Sequence, residues 1–549
     1  GEAGWGLIRV GPDGDKKASS ARGNATCLAT DPQTHRVFAG NPGKFRGVRV
    51  FDGRDFRPIN MSQDRGKPEV PPGGTKQANR VTGLVYHADN LYVAYGPRNL
   101  IGVNDGTTGE LVATWKVPEP GRLAAAKDGS ILAISENSVM KIRNGKSSRL
   151  IDSHLQDPAG IAIDDAGRIY VTNKGDSQNV SVFTPAGQHL KNIGKTGGRP
   201  RVGRYEAGGM LEPTGCAIGA QGRLWVAEHI DAPKRISVWD TESGKNVDEF
   251  FGGSSYSTWV MMDPTRPGEA FCHNVLWKID LDKGTKRPYS TLWRSTGADV
   301  PPGPPVGSSH GNGLGVVTAT NGRQYGWGHK RVLYLRDGPV FKPVLQFMKD
   351  RVWVDDNDNQ RREDDEYRPV ADLGRRPQPI EWVDEDLTLY SGRNRTIFKV
   401  QRIREDGVPI YDFENPEQLP FGAYNPQGPT MFVDPRDGTL YQNHAPRDRD
   451  VVGFARWTRD GERMWGIRGT LFWKRTLSMP KPGVGDLYAL TAPLGVAGDF
   501  TGAATYYSGY HILTRDGVYV SMIMNPPASE GLGPNKVMCE LFTGRMIRL

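Results

Sequence analysis

Residues 156–191 read QDPAGIAIDDAGRIYVTNKGDSQNVSVFTPAGQHLK, and residues 211–247 read LEPTGCAIGAQGRLWVAEHIDAPKRISVWDTESGKNV. Each stretch has a proline, three short apolar runs separated by glycine-containing or polar turns, and a final turn before a fourth run. Short apolar runs bounded by turn residues are typical of β-strands. A four-stranded unit cannot bury both faces of its sheet alone, so neighbouring copies must stack face to face. The repeat therefore predicts an all-β protein.

The repeat also has a recognisable pattern: Pro-x-Gly and Ala within the first run, Gly-Arg before the second, and Ser-Val-Phe or Ser-Val-Trp in the third. This pattern resembles the NHL repeat. Residues 194–200 (GKTGGRP), 225–228 (WVAE) and 233–240 (PKRISVWD) are similar to exported bacterial members of that family. The resemblance implies a β-propeller with one four-stranded antiparallel blade per repeat. It implies no particular function, because propellers include enzymes and binding modules alike.

Weaker copies of the pattern run along most of the chain. They lie at 27–60, 81–117, 123–155, 259–293, 313–347, 380–413 and 430–467, with a partial copy at 506–524. We expect residues 1–549 to form one large propeller ring of about 7–10 blade units with insertions, and two smaller rings are the alternative. The Pro/Gly-rich residues 295–309 are expected to form an inter-blade linker or a domain boundary.

Composition restricts the class of protein. The 549 residues carry a net charge of +8, and the four cysteines lack the C-x-x-C spacing of zinc ribbons, thioredoxin-like proteins or c-type haem sites. No apolar run approaches the roughly 18 residues of a membrane-spanning helix. Basic residues are spread out rather than clustered, which argues against a nucleic-acid partner. Because the sequence starts at Gly1 without Met, we expect a processed mature chain that is secreted or periplasmic.

One segment is strongly acidic, although the chain as a whole has a positive net charge. Residues 355–366 (DDNDNQRREDDE) contain seven acids and two arginines, within an expected insertion at 349–375. Their spacing matches the calcium-loop pattern D-x-[DN]-x-[DN]-G-x5-E except at the sixth position, where Gln360 replaces the usual glycine. We expect a calcium ion that stabilises the insertion, and a solvated acidic loop is the alternative. The predicted ligands are Asp355, Asn357, Asn359, the Arg361 carbonyl and Glu366.

The loops that differ in sequence from one repeat copy to the next predict a ligand-binding face. In a propeller blade, the loop between the second and third strands opens on the same face as the loop that leads into the first strand. Arginine forks and aromatic rings in these loops favour an anionic ligand. The candidate ligand-binding residues are Arg80, Tyr95, Arg122, Lys174, Arg393 and Arg395. The candidate acid–base residues on the same face are Glu228, His229 and His310.

Histidines in these loops also predict a metal. Three imidazoles from neighbouring loops can hold a zinc-like transition metal with an open coordination position. One NHL-type enzyme group, the peptidyl-hydroxyglycine amidating lyases, uses channel-facing histidines around a metal together with a structural calcium. The resemblance gives the histidines of this chain an analogous role, although no continuous motif aligns. The candidates are His229, His273, His329 and His444.

These features leave three functions open. We favour a binding module or scaffold that recognises an acidic polysaccharide, an anionic peptide or another envelope protein on its channel face. The alternative is an enzyme, either a lyase acting on a uronic-acid polysaccharide or a metal-dependent lyase or hydrolase. A purely structural ring that docks onto a larger assembly also fits.

Overall fold

The described residues form mainly antiparallel β-sheets, with one parallel strand pair, Arg463–Leu471 with Leu487–Ala497. The computed structural model describes residues 7–10, 16–20, 25–41, 47–61, 67–75, 77–228, 233–252, 260–272, 274–292, 315–328, 331–373, 380–392, 394–419, 431–443, 452–471, 487–505 and 510–523. In these ranges the helical elements are three short 3₁₀ turns, Gly96–Arg98, Ala220–Gly222 and Asp364–Glu366. None of the helices there is long and apolar enough to cross a membrane. The predicted all-β fold class is confirmed.

The first of two compact units comprises Gly1–Arg199, Glu206–Ile230 and Lys234–Phe251. It contains a two-stranded ribbon and five four-stranded antiparallel sheets, each a simple meander. The ribbon is Leu7–Val10 with Lys16–Ser20. Sheet 1 is Cys27–Asp31, Arg36–Asn41, Gly47–Asp52 and Pro58–Ile59; sheet 2 is Gly83–His87, Asn90–Tyr95, Leu100–Asp105 and Leu111–Lys116; sheet 3 is Pro120–Ala125, Ile131–Ser135, Ser138–Arg143 and Lys146–Ile151; sheet 4 is Pro158–Ile163, Ile169–Asn173, Asn179–Phe183 and His189–Ile193; sheet 5 is Pro213–Gly219, Arg223–Glu228, Lys234–Asp240 and Asn246–Gly252.

The second unit comprises Pro200–Tyr205, Asp231–Pro233 and Gly252–Leu549. It contains four larger or less regular sheets and one ribbon, Val400–Ile403 with Pro409–Tyr411. Sheet 6 is Gly203–Arg204, Val260–Met261, Glu269–Cys272, Val275–Asp280 and Thr285–Thr291; sheet 7 is Gly315–Thr318, Gln324–Gly328, Val332–Asp337, Val340–Phe347, Arg351–Val354 and Tyr367–Pro369; sheet 8 is Trp382–Val383, Leu389–Ser391, Thr396–Phe398 and Glu417–Gln418; sheet 9 is Met431–Val433, Leu440–Asn443, Val452–Trp457, Arg463–Leu471, Leu487–Ala497, Phe500–Thr505, Tyr510–Thr514 and Tyr519–Ile523.

The two strong sequence copies become sheets 4 and 5 in the same register. Ile161 lies opposite Val171 in sheet 4, and the equivalent Cys216 lies opposite Val226 in sheet 5. The seven weaker copies coincide with sheets 1 to 3 and 6 to 9. The partial copy at 506–524 differs, because its two strands are the last two of sheet 9 rather than a separate blade. Residues 295–309 lie outside the described part, and the choice between one ring and two stays a prediction.

Apolar faces of consecutive sheets form the core of each unit. In the first unit, buried side chains interleave between sheets 1 and 2, 2 and 3, 3 and 4, and 4 and 5. In the second unit, the same holds for sheets 6 and 7, 7 and 8, and 8 and 9. Each face-to-face contact removes one apolar side of two sheets from water, which is the arrangement of propeller blades.

The first strands of successive sheets lie side by side in the first unit, and glycine permits their close approach. A methyl group at Gly160 of sheet 4 would lie 2.6 Å from Gly215 Cα, which belongs to the first strand of sheet 5. Gly215 holds the same position in its own repeat, but a methyl group there would meet no heavy atom within 4 Å. The repeat therefore retains a glycine at both positions, and the packing requires it at Gly160.

This asymmetry gives a matched test of the blade packing. We expect Gly160→Ala to lower the free energy of unfolding by about 1–3 kcal/mol, because two backbones must separate to accept the methyl group. Gly215→Ala should change it by no more than about 0.5 kcal/mol. Chemical denaturation of both variants measures the difference. Equal effects of the two substitutions would contradict the inferred contact.

Candidate functional site

Glu228 ends the second strand of sheet 5, and its side chain is fully enclosed. Its Oε2 accepts a hydrogen bond from Arg199 Nε at 3.1 Å and another from the Leu211 amide at 2.9 Å. Its Oε1 lies 3.1 Å from Arg235 Nε and accepts a hydrogen bond from the Ser237 hydroxyl at 3.2 Å. Both carboxylate oxygens are therefore held by cations and hydrogen-bond donors.

The two arginines around Glu228 are as buried as the carboxylate. Arg199 and Arg235 are each 2% exposed. Arg235 also donates to the carbonyls of Gly209 at 3.1 Å and Ala207 at 2.9 Å, and it lies 3.5 Å from a Glu249 carboxylate oxygen. The Arg199–Glu228–Arg235 cluster thus fixes the segment between sheets 4 and 5 onto sheet 5.

This burial corrects the expectation that Glu228 is a catalytic acid or base. A general acid or base must reach the proton that it transfers, directly or through one water. Glu228 has no accessible side-chain surface, and two buried guanidinium groups lie against its carboxylate oxygens. Its role is structural. Sequence reasoning missed the cluster because Arg199 lies 29 residues before Glu228, in a segment outside the repeat.

The other predicted ligand-binding residues of the first unit have different surroundings. Arg80 is exposed, and Arg122 is half-buried with its Nη1 donating to the Thr82 carbonyl at 3.2 Å. Lys174 forms an ion pair with Asp157 at 3.0 Å. Tyr95 is only 1% exposed and packs in the core between sheets 1 and 2, so it is a core residue rather than a ligand contact.

The chain segments that carry Arg80 and Arg122 are hydrogen-bonded to each other. Arg80 is two residues before Thr82, whose carbonyl accepts the Arg122 hydrogen bond, and Thr82 Oγ1 donates to the Pro120 carbonyl at 2.5 Å. The segment that leads into sheet 2 is thereby tied to the start of sheet 3.

The remaining candidates lie in the second unit or outside the described residues. Arg395 is exposed, and its Nε donates to the Leu419 carbonyl at 3.1 Å. Arg393 and five histidines fall outside the described part of the chain, so the transition-metal and histidine acid–base hypotheses stay predictions. Among the residues described, no three His, Cys, Asp or Glu side chains are grouped so as to hold a metal. The five histidines are His229, His273, His310, His329 and His444.

The acidic segment forms the turn of a hairpin on the outer edge of sheet 7, between Arg351–Val354 and Tyr367–Pro369. Asp355 and Glu366, the first and last predicted calcium ligands, are each 2% exposed. Asn357, Asn359 and Arg361 lie in the exposed part of the turn. Two further residues that the spacing alone did not identify, Trp353 and Glu363, hydrogen-bond to these groups.

Comparisons with known proteins add little beyond the fold. No protein-family model matches the chain, and no curated protein matches it. A solved structure described as streptogramin B lyase is similar at 16% identity over 55% of this chain and 90% of that chain, with a TM-score of 0.31. The hydrazine synthase of Kuenenia stuttgartiensis is similar at 14% identity over 58% and 96% of the two chains, with a TM-score of 0.31. A nidogen/laminin complex gives 14% identity over 41% and 78%, with a TM-score of 0.30. Likeness at this level carries no argument about function.

The structural role of Glu228 predicts a large effect on stability. We expect Glu228→Gln to lower the free energy of unfolding by about 3–5 kcal/mol, because it leaves two buried arginines without their shared counter-ion. The control is Glu242→Gln, which removes a 74% exposed carboxylate paired with Arg168 and should cost less than about 1 kcal/mol. Denaturant titration measures both. A Glu228→Gln protein as stable as the wild type would refute the structural assignment.

Proposed function

We propose that this chain is an NHL-type β-propeller binding module that acts outside the cytoplasm and holds an anionic partner at the channel-side edge of its first unit. The proposal is supported by one observation: the segment that carries the exposed Arg80 is hydrogen-bonded to Arg122 of sheet 3, whereas the acidic group expected to perform chemistry, Glu228, is enclosed between two arginines. Binding groups are thus accessible where the candidate proton-transfer group is not.

The chemistry of this edge favours carboxylate or sulfate groups on a polymer. Arg122 keeps one guanidinium nitrogen on the Thr82 carbonyl, which fixes the orientation of its remaining donors. The Arg80 guanidinium is exposed and can close onto the same anion in a bidentate hydrogen bond. An acidic polysaccharide offers such groups at regular intervals, so we place it first among the partners. We propose the extracytoplasmic setting from the similarity of residues 194–200, 225–228 and 233–240 to exported NHL proteins.

Binding to immobilised acidic polysaccharides tests the proposal. We expect salt-sensitive binding of the full chain to at least one uronic-acid polymer, and a roughly tenfold loss of affinity in Arg80→Gln and in Arg122→Gln. The matched control is Arg149→Gln, which neutralises an exposed arginine on the outermost strand of sheet 3 and should bind like the wild type.

Two results would count against the binding module. Equal loss of affinity in Arg149→Gln would show that net charge, not this edge, attracts the polymer. Release of unsaturated sugar ends during the incubation would show a lyase, which is the enzyme alternative. Melting curves of each variant confirm that a loss of binding is not a loss of folding.

A further inference from the structure

Asp355 and Glu366 are buried acids without a cationic partner. Each is 2% exposed, and within the described residues no lysine or arginine forms an ion pair with either of them. Other carboxylates of this hairpin are paired: Asp356 lies 2.8 Å from Arg404, and Asp358 lies 3.2 Å from Lys342. The cost of burying an ionised carboxylate is several kcal/mol unless a positive charge or hydrogen bonds compensate for it.

One oxygen of this pair also has no hydrogen-bond donor. Asp355 Oδ1 is fully buried and has no hydrogen-bond partner among the described residues, while Oδ2 accepts the Gln360 backbone amide at 3.2 Å. The carboxylate therefore faces into the turn that Gln360 closes.

Glu366 is held next to Asp355 from the other end of the turn. Its Oε1 accepts the Asp356 amide at 3.0 Å, and its Oε2 accepts the Trp353 indole N–H at 2.7 Å. The same indole nitrogen lies 3.1 Å from the Arg361 carbonyl oxygen. Because two acceptors share one donor, the Arg361 carbonyl and the Glu366 carboxylate lie close to each other. Positions seven and twelve of the predicted loop are thus brought together, and position twelve is also bonded to the backbone of the residue that follows position one.

The two asparagines supply further oriented oxygens. Asn357 Oδ1 accepts the Asn359 amide at 3.0 Å, and Asn359 Oδ1 accepts the Arg361 amide at 2.7 Å. Each side-chain oxygen keeps a second lone pair. The amide nitrogens of both side chains donate to Glu363, at 2.6 Å and 3.0 Å, which keeps the two oxygens facing away from that residue.

The non-glycine sixth position does not prevent the turn. Gln360 has φ of 56°, in the left-handed region that the loop pattern normally assigns to glycine. Its backbone amide makes the hydrogen bond to Asp355 that closes the turn. The departure from the sequence pattern therefore costs strain but preserves the loop path.

We propose that residues 355–366 bind one calcium ion through the buried Asp355 and Glu366 carboxylates, the side-chain oxygens of Asn357 and Asn359, and the Arg361 carbonyl. Counted with both Glu366 oxygens, this set offers six oxygen ligands, within the range of six to eight that calcium requires. All donors are oxygen, which suits a hard cation and not zinc. Asp355 also borders a cavity of about 190 Å³, which provides room for water to complete the shell.

The ion would tie the hairpin to its neighbours. Asp356, between two ligand positions, is held by Arg404 of the segment next to Val400–Ile403 and by Arg368 of the strand Tyr367–Pro369. Fixing the turn therefore fixes the contact between sheet 7 and the 400–411 ribbon. This function is structural and is independent of the anionic partner proposed for the first unit.

Terbium luminescence tests the calcium site, because Trp353 lies within hydrogen-bonding distance of two proposed ligands. We expect the chelator-treated full chain to give saturable terbium emission on tryptophan excitation, and calcium to displace it. Glu366→Gln and Asn359→Ala should weaken calcium binding at least tenfold and several-fold, respectively, in titration calorimetry. Trp353→Phe should retain calcium binding but lose most of the sensitised emission.

Asp364→Asn is the matched control, since Asp364 is an exposed acid of the same turn and is not a proposed ligand. It should bind calcium within about twofold of the wild type. The proposal would be overturned if the folded wild type showed neither a heat of calcium binding nor sensitised terbium emission. It would also be overturned if Asp364→Asn and Glu366→Gln weakened calcium binding equally. Thermal unfolding of each variant in the absence of metal shows whether the variant is folded. Because Asn359 is exposed, Asn359→Ala removes a proposed ligand without altering the buried residues.

Gln360→Gly gives an independent test of the loop path. We expect it to tighten calcium binding about two- to fivefold, because glycine adopts a positive φ without the steric strain of glutamine. Calcium calorimetry of the variant measures the change. A loss of affinity would show that the bound loop does not use the left-handed conformation at this position.

Discussion

Face-to-face burial of successive sheets is the constraint on which the rest of the structure depends. One sheet cannot bury both of its own apolar faces, so within each unit consecutive sheets share a core: sheets 1 to 5 in the first unit and sheets 6 to 9 in the second. In the first unit the contact is closest between first strands, where a glycine such as Gly160 lets two backbones meet. This requirement keeps the short apolar runs and their glycines similar from copy to copy, and leaves the connecting loops free to vary.

The buried carboxylate of Glu228 and the buried carboxylates of Asp355 and Glu366 differ in the charges around them. Glu228 is enclosed with Arg199 and Arg235, and its neutralised cluster is complete within the protein. Asp355 and Glu366 are equally enclosed, yet within the described residues no lysine or arginine forms an ion pair with either carboxylate. The same desolvation cost applies in both places. This cost explains the two arginines around Glu228, and it is the reason for proposing an external cation at Asp355 and Glu366.

The repeat made much of the fold predictable, even where the copies are weak. Asp164 of a strong copy accepts the Tyr170 hydroxyl at 2.9 Å, and in a weak copy Asp384 accepts the Tyr390 hydroxyl at the same distance and spacing. Such local contacts follow from the pattern itself. The burial of Tyr95 and the arginines around Glu228 could not be predicted from the repeat, because both depend on packing against segments outside the repeat pattern. The spacing of the calcium-loop pattern identified the proposed ligand positions. The hydrogen bonds of Trp353 to two of these positions could be recognised only in the folded hairpin.

The most direct test of this account is an anomalous-scattering map from crystals of the full chain grown with calcium and then exchanged with terbium. The account predicts one strong peak bounded by the side-chain oxygens of Asp355 and Glu366 and by the Arg361 carbonyl. A map with these residues in the arrangement described here, and no peak between them at saturating metal, would contradict it.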